Sequence, residues 1–432
     1  GTFWHGEFTV RGVRHEFVVA GATDDFDGQR LLDDTRRICE AQIAFWHGRR
    51  KVPFDHYVFM LNVVDDGYGG LEHRQSTALI CGRRDLPRTG RALNKDSYTT
   101  LLGLISHEYF HTWNVKRLKP VEFAPYDYTQ ENFTRMLWFF EGFTSYYDDQ
   151  FLLRTGLIDA PTYLKLLSKT VNQVLATPGR LAYSVAQASF DAWTRYYRQD
   201  ENTANATVSY YTKGSLVALA LDLTLRQLPA TVEGGQSPNL DGVMLRLWKL
   251  GRAITQADVA QALADEAGQV PPAQVFSAPA SLDVLGRWRA LLDAWTEGCD
   301  DLPLPALLRS QGVDWHTQAG SLPQRLGARI GERSGAQQVL AVMHGSVAEQ
   351  MGLSTGDELL ALGEWRIKRA DDLAQWHDAS RAQPLLVSRD QRVLTLTLPV
   401  LSATGGDTVV LTVANTPVDA QALTRRAAWL KA

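Results

Sequence analysis

Residues 107–111 read His-Glu-Tyr-Phe-His, a spacing that can do chemistry. On a helix, side chains four apart lie on one face, one turn from each other. The imidazoles of His107 and His111 can therefore meet at one zinc ion, with metal–nitrogen distances of about 2.0–2.1 Å. Glu108 is turned about 100° from His107 around the same helix, so it reaches a water at the metal rather than the metal itself. Zinc brings the pKa of such a water toward about 7, and a carboxylate beside it takes the proton as the water attacks a carbonyl. The flanking Leu101, Leu104, Ile105, Phe110 and Trp113 are apolar and should bury the helix. Two unliganded histidines would lose their water there for little return. The plain alternative is a pair of histidines making ordinary hydrogen bonds.

A hydrolytic zinc needs a third protein ligand and an open position. Glu141, in LWFFEGFTSYY, is the one acidic residue between Asn132 and Tyr147, and a lone carboxylate on an apolar helix is costly unless it is paired or metal-bound. An ion pair with Arg or Lys is the competing explanation. Asp148 and Asp149 follow at the helix's far end and read as solvated groups or as supports behind the ligands. An oxyanion donor is also required, and SYYTKGSLVALALDL offers Tyr210 or Tyr211 just before a helix start. Spacing leaves the two open, and a purely structural role for either is the competing explanation. Lys116 and Arg117, directly after the metal motif, read either as contacts for a substrate carboxylate or as cations that satisfy the last carbonyls of a helix, and they are set apart from the site.

The elements that must position these groups follow from periodicity. Residues 3–20 read as two short strands about Arg11-Gly12. They look like the end of a sheet whose other strands are missing, since two strands alone hold no core. Residues 27–47 carry helical spacing (Leu31, Leu32, Thr35, Ile38, Cys39, Gln42) with Gly48 as stop. Strands are expected at 56–64 and 76–81 around the turn DDGYGG. Helices are expected over 97–114 from an Asn94 or Asp96 cap, over 132–154, and from Lys213-Gly214 toward Pro229. The stretch 229–240 reads as a boundary loop, 241–312 as helices only, and the chain beyond about 320 as a separate module of short strands.

Composition narrows the function classes. Hydrophobic residues at 45% and charged residues at 21% are ordinary for a globular chain, and 432 residues suit several domains. A net charge of -4 argues against nucleic-acid or anionic-membrane partners, which need clustered positive charge. No apolar run reaches the ~20 residues of a membrane span. Three distant cysteines, Cys39, Cys81 and Cys299, give no disulfide framework. They agree with a cytoplasmic location, the alternative being periplasmic after removal of a leader. The oligomeric state is not legible.

The segments HEYFHTWNVKRLKP, EGFTSYY, GYGGLEHRQS and YYTKG together resemble the glycyl aminopeptidase family, PDZ-containing gluzincin metallopeptidases related to the aminopeptidase N group. The resemblance extends over nearly the whole chain. It implies an α+β chain with a thermolysin-like catalytic domain (21–228), a helical domain (229–318), a PDZ-like domain (319–405) and a strand-and-helix tail (406–432). Residues 1–20 would be the remnant of a larger N-terminal β-domain. By the same resemblance, one zinc is held by His107, His111 and Glu141, Glu108 serves the water, and Tyr211 rather than Tyr210 holds the oxyanion. Gly69, Gly70 and Glu72 match an edge-strand segment in which Glu72 would bind a peptide's free amine. Such an anchor suits an exopeptidase, because it fixes the terminus at a set distance from the scissile bond. The first residue removed would be Gly or Ala. Leu326, Gly327 and Ala328 would cradle a peptide C-terminus at the PDZ-like module. A zinc endopeptidase with recruited substrates, and a non-enzymatic peptide-binding scaffold, are the alternatives.

Overall fold

The computed structural model describes residues 3–229, 237–402, 406–414 and 419–431. Most of the expected boundary loop at 229–240 lies outside them. The chain opens with the hairpin β1 (Phe3–Val10) and β2 (Val13–Ala20), turned at Arg11 and Gly12, both at positive φ. Helix α1 (Gly28–His47) follows, capped by Asp27, and then β3 (His56–Val64), β4 (Gly69–Glu72) and β5 (Ser76–Gly82). These strands form one sheet in the order β1-β2-β3-β5-β4. The hairpin is therefore not the end of a separate sheet. Strand β2 pairs in parallel with β3, and the crossover through α1 makes that pairing reachable. Strand β4 pairs antiparallel with β5 and forms an edge of the sheet.

Helix α2 (Lys95–Phe110) carries the metal motif, with the Asn94 side chain accepting from the Ser97 N–H as its cap. It stops at Phe110, four residues short of the sequence expectation, and His111 sits at its C-cap. The expected helix over 132–154 is two pieces, a single turn α3 (Leu137–Phe140) and α4 (Gly142–Arg154), with Glu141 at the junction. Helices α5 (Ala160–Leu175), α6 (Val185–Phe190) and the single-turn α7 (Thr203–Ala206) lead to α8 (Thr212–Leu225). Helix α4 packs against both α2 and α8. The α4–α8 contact is close enough that a Cβ on Gly142 would lie 2.5 Å from the Gly214 backbone, and one on Gly214 would lie 2.6 Å from the Trp138 carbonyl. Glycine at both positions lets Glu141 and Tyr211 approach from two helices.

Helices α9 (Leu240–Lys249), α10 (Gln256–Ala267), α11 (Val284–Thr296) and α12 (Leu304–Arg309) occupy the stretch expected to be helical. Their apolar faces belong to the same continuous core as the sheet and α1–α8. Strand β6 (Val313–Gln318) leads to the single turn α13 (Leu322–Leu326), then β7 (Ala328–Arg333), β8 (Ala336–Val342) and α14 (Val347–Gln350). Next come β9 (Glu358–Leu362), β10 (Trp365–Arg366), α15 (Asp372–Gln375), β11 (Gln383–Arg389) and β12 (Arg392–Leu398). These form a second sheet, β12-β11-β9-β8-β7 with β10 on β9, over its own hydrophobic cluster between Leu322 and Leu401. The chain returns through β13 (Thr408–Val413), which pairs with β6, and ends in α16 (Ala420–Trp429). The fold is thus mixed helix and sheet. Among the described residues no helix is long and apolar enough to cross a membrane.

Candidate metal centre

The last turn of α2 and the α3–α4 junction bring three acceptor atoms together. His107 Nε2 lies 3.0 Å from His111 Nε2, and Glu141 Oε2 lies 3.3 Å from the first and 3.1 Å from the second. The other ring nitrogens are already committed. His107 Nδ1 is 3.0 Å from Asp148 Oδ2, and His111 Nδ1 is 2.7 Å from the Asn114 carbonyl. A carbonyl only accepts, so the His111 proton sits on Nδ1 and its Nε2 lone pair faces inward; the Asp148 carboxylate imposes the same tautomer on His107. Two lone pairs and a carboxylate oxygen at these separations repel one another unless a cation lies among them. Donor atoms about 2.05 Å from a tetrahedral zinc stand about 3.3 Å apart, so the cluster has the dimensions and the donor set of a zinc site.

The electrostatics point the same way. Burial alone would lower the His107 pKa, but Asp148 and Glu141 raise it well above the ordinary histidine value. Burial likewise opposes charge at Glu141, and His111 and His107 more than offset it, holding the carboxyl well below its usual range. The Glu141 and Asp148 carboxylates thus favour a cation among these groups. Its walls are fixed by their own hydrogen bonds: Asn114 Nδ2 donates to the Phe140 carbonyl and to Thr144 Oγ1, at 3.2 and 3.1 Å. Behind α2, the Tyr109 hydroxyl donates to His15 Nε2 at 2.8 Å, tying the helix to β2.

Glu108 is buried under strand β4. A Cβ on Gly70 would lie 2.1 Å from Glu108 Oε1, so glycine lets the edge strand cross the carboxylate without displacing it. Burial raises the Glu108 pKa above its ordinary value. Glu72, two residues further along the strand, makes an ion pair with Lys116, Oε1 to Nζ 2.9 Å. Gly69 opens the strand and has open space where a Cβ would stand. Tyr211 is the N-cap residue of α8, and its ring centroid lies 6.1 Å from that of His107. Burial, and then the negative charge of Glu141, raise its pKa well above the ordinary tyrosine value. Tyr210 stacks on it at 4.9 Å but is turned into the core.

Asp148 touches His107, so it stands behind the cluster rather than in solvent. The signal was available: seven residues after Glu141 is two helical turns, within about 20° of the same face. Thr77 was not singled out, yet its hydroxyl lies 3.5 Å from Glu108 Oε2. Lys116, expected as a helix-closing cation or a contact for a substrate carboxylate, instead reaches Glu72. Arg117 donates to the Thr112 carbonyl at 2.6 Å, in the turn past the end of α2 rather than in its last helical turn. At the distant module, Leu326 and Ala328 are buried, and the Gly327 N–H donates to the Gln324 carbonyl as a left-handed helix cap. That amide is spent and is not free to cradle a carboxylate.

Comparison with known proteins places this geometry. The family model described as M61 glycyl aminopeptidase matches residues 100–217, the stretch holding His107, Glu108, His111, Glu141 and Tyr211. The crystal structure of an aminopeptidase N family protein from Idiomarina loihiensis is 32% identical. It superposes with a TM-score of 0.83 over 100% of this chain and 71% of that one. A two-domain M1 zinc metallopeptidase mutant bound to L-tryptophan is 16% identical and covers 71% of this chain and 54% of that one. Its TM-score of 0.41 is too remote to bear on the chemistry. No curated protein matches the sequence.

Proposed function

We propose that this chain, which belongs to the glycyl aminopeptidase family of peptidases, is a zinc-dependent aminopeptidase that removes the first residue of a peptide. The observation that carries the reading is the inward convergence of His107 Nε2, His111 Nε2 and Glu141 Oε2, with both Nδ1 atoms tied elsewhere. These three residues would hold one zinc ion. When bound, zinc supplies a Lewis acid that polarises the scissile carbonyl and makes water acidic enough to attack near neutral pH.

The chain's own residues supply the rest. Glu108, held between α2 and β4, takes the proton of the attacking water and passes it to the leaving nitrogen; the pKa raised by burial makes it the better acceptor in the first transfer. Tyr211, at the mouth of α8, donates to the oxygen that gains charge as the carbonyl becomes tetrahedral. Glu72 pairs with the peptide's free ammonium, and β4, an edge strand among the described residues, offers backbone groups for strand addition. Asp148 and Asn114 keep the two imidazoles turned inward. Gly or Ala as the preferred first residue rests on the family resemblance.

In the same reading, the site-bearing portion is thermolysin-like and residues 319–405 are a PDZ-like module. Strand β7 forms an edge of its sheet and offers a place for a peptide C-terminus to add. An endopeptidase would use the same centre without the Glu72 anchor. Metal analysis of purified protein, with hydrolysis rates on matched free and N-acetylated peptides, tests the proposal. One zinc per chain and cleavage confined to the free-amine peptide are expected. Equal cleavage of both peptides would select the endopeptidase, and a metal-free protein active on either would defeat the hydrolytic account.

A further inference from the structure

The carboxylate assigned to the substrate's amine already has an ammonium beside it. Lys116 Nζ stands 2.9 Å from Glu72 Oε1, and the two side chains are only 22% and 19% exposed. The pairing is built by the turn that ends α2. Asn114 must present its carbonyl to His111 while its side chain is held by Phe140 and Thr144. The next residue, Val115, is then forced to φ 152, a region that β-branched residues rarely adopt. Such strain persists only where the surroundings over-determine it. The Lys116 N–H bonds to the His111 carbonyl at 3.1 Å, and the Leu118 N–H to the Trp113 carbonyl at 2.8 Å, which locks the turn. Lys116 is thus delivered to the edge strand by the same backbone that orients a metal ligand.

We propose that Lys116 is a specificity-determining residue: an internal ammonium that occupies Glu72 until a substrate's N-terminal ammonium displaces it. This inference rests on the aminopeptidase reading of Glu72. A carboxylate already neutralised by Lys116 attracts a further cation weakly, so a free amine alone binds poorly. A peptide whose backbone is also held along β4 has the added binding energy to exchange one ammonium for the other. The expected selectivity is against small amines and against first residues whose basic side chains would crowd Lys116.

The test is steady-state kinetics of the full chain with Lys116→Met and Lys116→Arg, on alanyl and lysyl peptides, with ethylamine as a competing amine. Removing the charge should lower KM for the alanyl peptide and Ki for ethylamine, each about fivefold, the scale of a partly exposed ion pair. The lysyl peptide should gain more than the alanyl one. Lys116→Arg, which keeps a cation, should stay near the parent. A KM that rises or does not move in Lys116→Met would overturn the proposal and make Lys116 a residue that merely positions Glu72. Lys116→Gln provides a second neutral variant should the Met variant fail to fold, as judged by thermal melting. Glu72→Gln separates the layers: if it leaves KM for free-amine peptides unchanged, the amine-anchor reading itself is lost, whatever Lys116 does.

Discussion

The site-bearing body and the module between Leu322 and Leu401 are held together by different means. In the body, one hydrophobic core runs from the β1–β5 sheet through α12, and polar bonds stitch its helices across the centre. The Tyr146 hydroxyl donates to Asp222 at 2.6 Å, Arg226 pairs with the same carboxylate at 2.8 Å, and Arg154 and Tyr147 both reach Asp241 at 2.9 Å. The module has a small core of its own and an ion pair from the buried Asp357 to the partly exposed Arg389 at 2.7 Å. It meets the body at Asn205, whose amide donates to the Val342 carbonyl and accepts from the His344 N–H, both at 2.9 Å. Positioning of a metal ligand or a proton-transfer group has to hold within a fraction of an ångström. The continuous packing that enforces this belongs to the body, and the module's core is separate from it.

The contrast is sharpened by substitutions inside the body. Glu108→Gln keeps shape and metal but removes the proton acceptor, so kcat should fall about a thousandfold at unchanged zinc content. Metal analysis alongside turnover checks it, and retained turnover would remove Glu108 from the mechanism. Gly70→Ala should cost about a hundredfold in kcat with almost no change in melting temperature. The added methyl meets the end of the Glu108 side chain rather than backbone, so the carboxylate moves and the fold does not. Asp148→Ala frees His107 to rotate, and zinc affinity should weaken by roughly tenfold to a hundredfold in chelator competition.

Much of this centre was legible because its signals are local. The His-Glu-x-x-His spacing needs only helical geometry, and Glu141 stood out as the lone acid in an apolar run. The helix α1 and strands β3 and β5 emerged for the same reason, their periodicity matching the faces they bury. Where the reading missed, the cause was tertiary. Helix α2 ends at Phe110 because Asn114 is pulled to Phe140 and Thr144, residues far along the chain. The break at Glu141 follows from the approach of Gly142 to Gly214, which no period in LWFFEGF announces. The N-terminal hairpin finds its sheet by a parallel pairing across α1, invisible to a rule that looks only at adjacent strands. Lys116 lies next to the motif in sequence, but its partner Glu72 is on another strand.

The smallest expected effect probes the seam between the two regions. Asn205→Ala removes both hydrogen bonds to the module and should cost about 1 kcal/mol of docking. If the module is a unit separable from the centre, amide exchange should quicken in β7 and β8 while kcat stays within about twofold of the parent, because no body packing is lost. The alternative has a physical route. Asn205 lies in α7, six residues before Tyr211, and the Tyr211 ring stacks on both Tyr196 and Tyr210 across that segment. A drop in kcat without loss of zinc would mean that docking of the module sets the position of the Tyr211 hydroxyl. The division drawn between body and module would then have to move to include α7 with the second sheet.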